Sequence, residues 1–196
     1  MVDYFKAVAQ AKPDMVKLEK YGETNEGREL MLAFIASPEN LQKLELIRAN
    51  NLRLAGVSND KTAGSVESAP GIVWLSYNVH GNETSSSEAA LMTLYALVDP
   101  ANGQTKEWLK NTIVVIDPCI NPDGRDRYVN WFNSVVGKEY KADPAAREHS
   151  EPWPGGRTNH YNFDLNRDWA WQTQVESRQR IKKYNQWLPQ VHVDFH

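Results

Sequence analysis

Ser76-Tyr77-Asn78-Val79-His80-Gly81-Asn82-Glu83-Thr84 is the stretch on which the reading of this chain turns. The run before it, Gly71-Ile72-Val73-Trp74-Leu75, is short, apolar and β-branched, the pattern of a buried strand. The run after it, Ala89 to Val98, is almost wholly apolar and reads as a buried helix, with Thr84, Ser85, Ser86 and Ser87 available as caps. A histidine and a glutamate therefore stand three residues apart at a strand-to-helix corner. Imidazole nitrogen and carboxylate oxygen are ordinary zinc ligands, but a zinc enzyme needs a third protein ligand and an open position for water. An H-x-x-E pair alone is a weak signal, since most such pairs are surface residues. Nor is it the helical H-E-x-x-H signature, because Gly81 and Asn82 are poor helix formers and no second histidine follows on that helix.

The third ligand is offered far along the chain, in Val191-His192-Val193-Asp194-Phe195-His196. Side chains alternate on a strand, so His192, Asp194 and His196 share one face. His196 stands at the strand end where His80 is expected, and His192 at the start reads as a structural histidine.

Composition narrows the class. Apolar content of 41% and charged content of 24% are those of a soluble globular protein. A net charge of -3 gives no reason to expect nucleic acid or an anionic membrane surface. Cys119 is the only cysteine, which rules out an internal disulfide and a cysteine-based zinc site. No apolar run reaches the length of a membrane span, and Met1 to Lys6 carry no apolar signal segment. The oligomeric state is not legible.

Along the chain, residues 1–20 read as a short amphipathic helix broken at Pro13 and followed by a polar link. Tyr21 to Gly27 reads as a turn, and Arg28 to Ser37 as a strand. Ser37-Pro38 opens a helix, cap before proline, with Leu44, Ile47 and Leu52 on its core side. Gly56 to Pro70 is a loop by composition. Asp99 to Gly103 stops the helix after the His80 corner. Thr112 to Asp117 is a β-branched strand covered on both faces, running into Asn121-Pro122-Asp123-Gly124, a turn sequence. An aromatic excursion from Tyr128 to Tyr161 precedes a helix from Gln172 to Trp187 and the last strand. The pattern is α/β, a mixed, mostly parallel central sheet flanked by helices, with residues 1–196 as one domain. Ligands bind beyond the carboxyl ends of such strands. His80, Asn121 and His196 all fall there.

Taken together, His80-x-x-Glu83 after one strand, Asn121-Pro122-Asp123-Gly124 after the next, Asp164-x-Asn166-Arg167 and a strand ending in His196 resemble the zinc carboxypeptidases of the carboxypeptidase A type. The resemblance implies one Zn²⁺ on His80, Glu83 and His196. It implies that Asn166 and Arg167 hold the terminal carboxylate of the substrate, which a guanidinium fork suits. Without the resemblance, the Asn-Arg pair would read as a loop turn with an ion pair to Asp168. Asp164 matches the acidic residue that fixes the tautomer of a ligating histidine. An arginine beside the metal is expected to stabilise the oxyanion. Arg125, Arg127 and Arg157 compete for that role, with Arg157 preferred and Arg127 second.

The resemblance further implies a general-base glutamate and a substrate-contacting tyrosine well beyond the third ligand. Neither is assignable in this sequence, and Glu88 and Glu176 on predicted helices do not fill the gap. The chain is therefore expected to be the N-terminal part of a larger catalytic domain. The implied activity is hydrolysis of C-terminal peptide bonds, in a secreted or periplasmic setting. Two alternatives stand beside it. One is an amide hydrolase of the same fold acting on acyl amino acids or cell-wall peptides; the other is a zinc-binding, catalytically incomplete module recognising peptide C-termini. Each takes a partner with a free carboxylate.

Overall fold

The structure is a computed structural model that describes residues 1–58 and 69–196. Two strands carry the centre of a five-stranded sheet. They are β3 (Gly71–Tyr77) and β4 (Thr112–Asp117), paired in parallel from Gly71 opposite Thr112 to Ser76 opposite Asp117. β5 (Val191–Phe195) pairs in parallel with the other side of β3. β2 (Glu29–Ile35) lies antiparallel to β4, and β1 (Val16–Glu23) antiparallel to β2, giving the order β1-β2-β4-β3-β5. The sheet is thus mixed: its site-bearing half is parallel, and its N-terminal half antiparallel.

Helices cover both faces. α1 (Val2–Ala11), α4 (Ser85–Val98) and α5 (Gly103–Leu109) pack one face through Phe5, Leu94, Leu97 and Leu109 against Met31, Ala33, Ile35, Val114 and Ile116. α3 (Leu44–Leu54) and α7 (Val175–Trp187) pack the other, where Leu44, Ile47 and Trp187 meet Leu32, Phe34, Trp74, Ile113 and Val115. Successive residues of β2 and β4 thus alternate between two cores. This is the physical reason for their unbroken apolar runs. Each fully buried Leu, Ile, Val, Phe or Met among them contributes about 1.5–3 kcal/mol.

Several sequence expectations need correction. The supposed link and turn before Arg28 contain β1. Lys17, Lys20 and Glu23, which made the segment look like a link, are the exposed residues of an edge strand, where charge discourages further pairing. The helix opened by Ser37 is two pieces, α2 (Pro38–Gln42) and α3, with Leu44 and Ile47 buried and Leu52 only partly so. α5 was not anticipated; Asn102 caps it through the Thr105 amide at 3.3 Å. Asn121-Pro122-Asp123-Gly124 is no free turn but the start of α6 (Pro122–Val135). The Asn121 side chain accepts from the Gly124 amide at 2.9 Å, and proline occupies the first helical position. The loop expected from Gly56 to Pro70 falls largely on residues 59–68, outside the described residues.

Candidate active site

The corner after β3 is held by Asn78. Its backbone is left-handed (φ 56°), a region asparagine tolerates better than most residues. Its side-chain amide donates to the His80 carbonyl at 2.9 Å and the Glu83 carbonyl at 3.1 Å, so one buried residue fixes both ends of the H-x-x-E segment. Its own oxygen accepts from the Cys119 thiol at 3.2 Å. Burial pushes that thiol up to about 12, which keeps it a donor rather than a nucleophile. Thr84 makes no side-chain cap to α4. Ser86 turns back instead, accepting from the Asn78 amide at 2.8 Å and donating to the Phe195 carbonyl at 2.8 Å. That bond joins the His80 corner to the end of β5.

Three glycines from three segments meet beneath the corner. A Cβ on Gly81 would lie 2.1 Å from the Arg125 amide nitrogen and 2.6 Å from the Gly156 carbonyl oxygen, and one on Gly124 would lie 2.3 Å from that same oxygen. Only side-chain-free backbone permits this approach. Asn121 adds to the junction by donating to the Arg157 carbonyl at 3.1 Å, which brings the Arg157 loop over the corner.

His80 is buried, and both ring nitrogens are engaged. Nε2 stands 2.9 Å from Asp164 Oδ1, and Nδ1 stands 3.0 Å from Glu83 Oε1. In a neutral ring protonated at Nε2, that N–H donates to the Asp164 carboxylate, so the Nδ1 lone pair faces a second carboxylate oxygen. Two lone pairs so placed call for a shared cation, a proton or a metal ion. Glu83 Oε2 is buried with no hydrogen-bond partner among the described residues. These observations fit a metal held by His80 and Glu83. Burial acts to raise the Asp164 carboxyl. Hydrogen bonds from His80 and the Asn166 amide, with the charge of Arg157, outweigh it and hold the group below the ordinary carboxylate range.

The third expected ligand is near but not joined. The His196 ring lies 5.0 Å from the His80 ring, centroid to centroid, and its Nε2 meets the Asn166 side-chain amide at 2.9 Å. Among the described residues, no group of three His, Cys, Asp or Glu side chains is drawn together to hold a metal ion. His192 turns elsewhere, with Nε2 3.0 Å from Ser76 Oγ and its ring between Trp169 and Tyr184. Burial, aided by the nearby charge of Arg180 and opposed by Asp194, lowers its pKa.

The arginines separate by environment. Arg127 donates to the carbonyls of Gly155 and Asn159 at 2.8 and 3.1 Å, anchoring the loop. Arg125 binds Glu88 and the Thr84 carbonyl. Arg157 faces the His80 cluster, 3.0 Å from Asp164 Oδ2 and 4.0 Å from Glu83 Oε1. Arg167 is exposed, and among the described residues it bonds to the Asn166 carbonyl at 3.4 Å. Asp168 does not pair with it, being occupied by the Thr173 and Gln174 amides at 2.9 Å each. Sequence reasoning missed Asn78, Ser86 and the glycine junction. Their only signal was an asparagine and three glycines beside motif residues.

This fold is that of the metallocarboxypeptidases. It matches a metallo-carboxypeptidase from Burkholderia cenocepacia (TM-score 0.62, 17% identity, 99% of this chain and 39% of that one). It also matches thrombin activatable fibrinolysis inhibitor (TM-score 0.63, 14% identity, 100% and 45%). A third is a metallo-carboxypeptidase from Pseudomonas aeruginosa in complex with (2-guanidinoethylmercapto)succinic acid (TM-score 0.57, 14% identity, 97% and 38%). The chain spans less than half the length of these structures. No curated protein matches it. The sequence model of the zinc carboxypeptidase family matches residues 1–188, and the chain belongs to that family. No helix among the described residues is long and apolar enough to cross a membrane.

Proposed function

We propose that this chain carries the metal- and carboxylate-binding part of a zinc-dependent carboxypeptidase that hydrolyses C-terminal peptide bonds. The observation that supports this best is the line Asp164–His80–Glu83, with spacings of 2.9 and 3.0 Å and a Glu83 oxygen left without a hydrogen-bond partner among the described residues. His80, Glu83 and His196 would hold the zinc, which when bound supplies a polarised carbonyl and an acidified water. Asp164 fixes the ring and tautomer of His80. Arg167 and Asn166 take the terminal carboxylate, Arg167 by paired donors. Arg157, poised over Glu83 and Asp164, donates to the oxyanion. Arg127, committed to loop carbonyls, is the lesser candidate for that role.

The test compares one peptide as free acid and as C-terminal amide, each with and without a chelator, alongside an N-acyl amino acid. Cleavage of the free acid alone, abolished by chelation and restored by zinc, is the expected result. Cleavage confined to the acyl amino acid would move the chain to the amide-hydrolase reading. Zinc-dependent binding of free acids without turnover would make it a recognition module.

A further inference from the structure

His196 follows an edge strand with little burial to hold it. Val191, Val193 and Phe195 of β5 are 49%, 37% and 40% exposed, so packing contributes little to where the strand ends. The end is tied instead through the carbonyl of Phe195, the residue before His196. That carbonyl accepts from the Asn78 amide at 3.1 Å and from the Ser86 hydroxyl at 2.8 Å. The Phe195 ring also stacks on Tyr77, with centroids 4.6 Å apart and planes at 11°.

Ser86 stands where the segments carrying the three expected ligands meet. It is buried in the first turn of α4, and its own amide bonds to the Glu83 carbonyl at 3.4 Å. Its hydroxyl accepts from the Asn78 amide at 2.8 Å, on the backbone that leads to His80, while donating to Phe195. A hydroxyl can do both at once, because it carries a donor and acceptor lone pairs on one atom. A ligand on a loosely held strand end binds a metal more weakly, since its ordering opposes binding. We infer that Ser86 is a positioning residue: it sets how far His196 stands from His80 and Glu83, and so how tightly the three hold zinc. The inference rests on the zinc reading of the site.

Metal affinity rather than turnover provides the test, in a double-mutant cycle of Ser86→Ala and His196→Ala. The Phe195 carbonyl keeps its Asn78 bond when the hydroxyl is lost, so Ser86→Ala is expected to fold, which circular dichroism checks. Zinc binding, measured by competition with a chromogenic chelator, should weaken about tenfold in Ser86→Ala, the lower end of what losing a ligand's orienting partner does. In the His196→Ala background the same change should have less than about a twofold effect, because no imidazole is left to position. The absorption spectrum of the cobalt(II) form should likewise change with Ser86→Ala in the wild type, and not in His196→Ala. Equal losses in both backgrounds, or no loss in either, would overturn the role of Ser86 and leave the zinc reading standing. Zinc binding indifferent to His196→Ala would overturn that reading of His196, and the inference with it.

Discussion

Gly81 and Gly124 are in backbone contact: a Cβ on Gly81 would stand 2.2 Å from the Gly124 carbonyl carbon. The neighbour here is main chain, which cannot swing aside as a side chain would. Gly81→Ala is therefore expected to destabilise the protein by about 1–3 kcal/mol, the range of overpacked sites. His80 and Glu83 flank Gly81, so the same change should also weaken zinc binding. Denaturant unfolding and a zinc titration on one preparation check both effects. A variant with wild-type midpoint and wild-type metal affinity would show that the junction has no such role.

Asp164 is no expected metal ligand, yet its carboxylate stands 2.9 Å from His80 Nε2. Asp164→Asn keeps the size of the side chain and removes the charge that sets the tautomer. Zinc affinity is expected to fall by about 10- to 100-fold, the usual effect of losing such a partner. Competition against a chromogenic chelator at fixed pH measures it, with circular dichroism to confirm an unchanged fold. Equal affinity in the two proteins would remove Asp164 from the positioning of His80.

The sequence made the parallel half of the fold legible and the antiparallel half only partly so. β3 and β4 stand where their apolar runs put them, since strands packed between helices announce themselves by composition, while β5, an exposed edge strand, stands where the alternating Val191-His192-Val193-Asp194-Phe195 put it. β1 was hidden because it is an edge strand, with Lys17, Lys20 and Glu23 exposed on it. Asn121-Pro122-Asp123-Gly124 was misread for another reason: asparagine before proline serves a turn and a helix N-terminus equally well, and only the Gly124 amide bonded back to Asn121 distinguishes them. At the site, His80 contacts Glu83 and Asp164, while His196 contacts Asn166 and stands 5.0 Å from the His80 ring without joining it. The scaffold that holds them was not legible. Asn78 acts through backbone carbonyls and the three glycines through the absence of side chains, and neither leaves a residue pattern tied to chemistry.

Arg167 gives a cleaner separation of function from stability. Its side chain is exposed and, among the described residues, bonded only to the Asn166 carbonyl, so Arg167→Ala should change stability by no more than about 0.5 kcal/mol. Binding of a free-acid peptide should weaken by about 1.5–3 kcal/mol, the scale of hydrogen bonds to charged groups, while the amide peptide is unaffected. Arg167→Lys should recover only part of the loss, because an ammonium lacks the planar fork. Isothermal titration of both peptides against the three proteins decides the matter. Equal losses for acid and amide would mean that Arg167 does not read the terminal carboxylate.

Asp117, the last residue of β4, ties stability to pH. It is fully buried, with the Tyr21 hydroxyl 3.2 Å from each of its oxygens. Burial pushes its carboxyl up to about 7, partly offset by the charge of Arg180 and the Tyr21 hydrogen bond. Arg180 is itself buried, stacked 3.7 Å over the Trp169 ring, with none of its nitrogens hydrogen-bonded among the described residues. In the unfolded chain the Asp117 group ionises near its ordinary value of about 3.9. Between about pH 4 and pH 7 the folded protein therefore binds more protons than the unfolded one. Stability from this group is fully present below that window and falls as pH rises through it, by up to about 1.4 kcal/mol per pH unit. Asp164 and Asp168, whose carboxyls are held low, act in a separate window: their contribution is lost only as pH falls below about 4. Asp117→Asn keeps an acceptor for Tyr21 and removes the titration, so its stability curve should be flatter between pH 4.5 and 7. Chemical denaturation of the metal-free proteins across that range tests it, and parallel curves for wild type and variant would rule Asp117 out as the source.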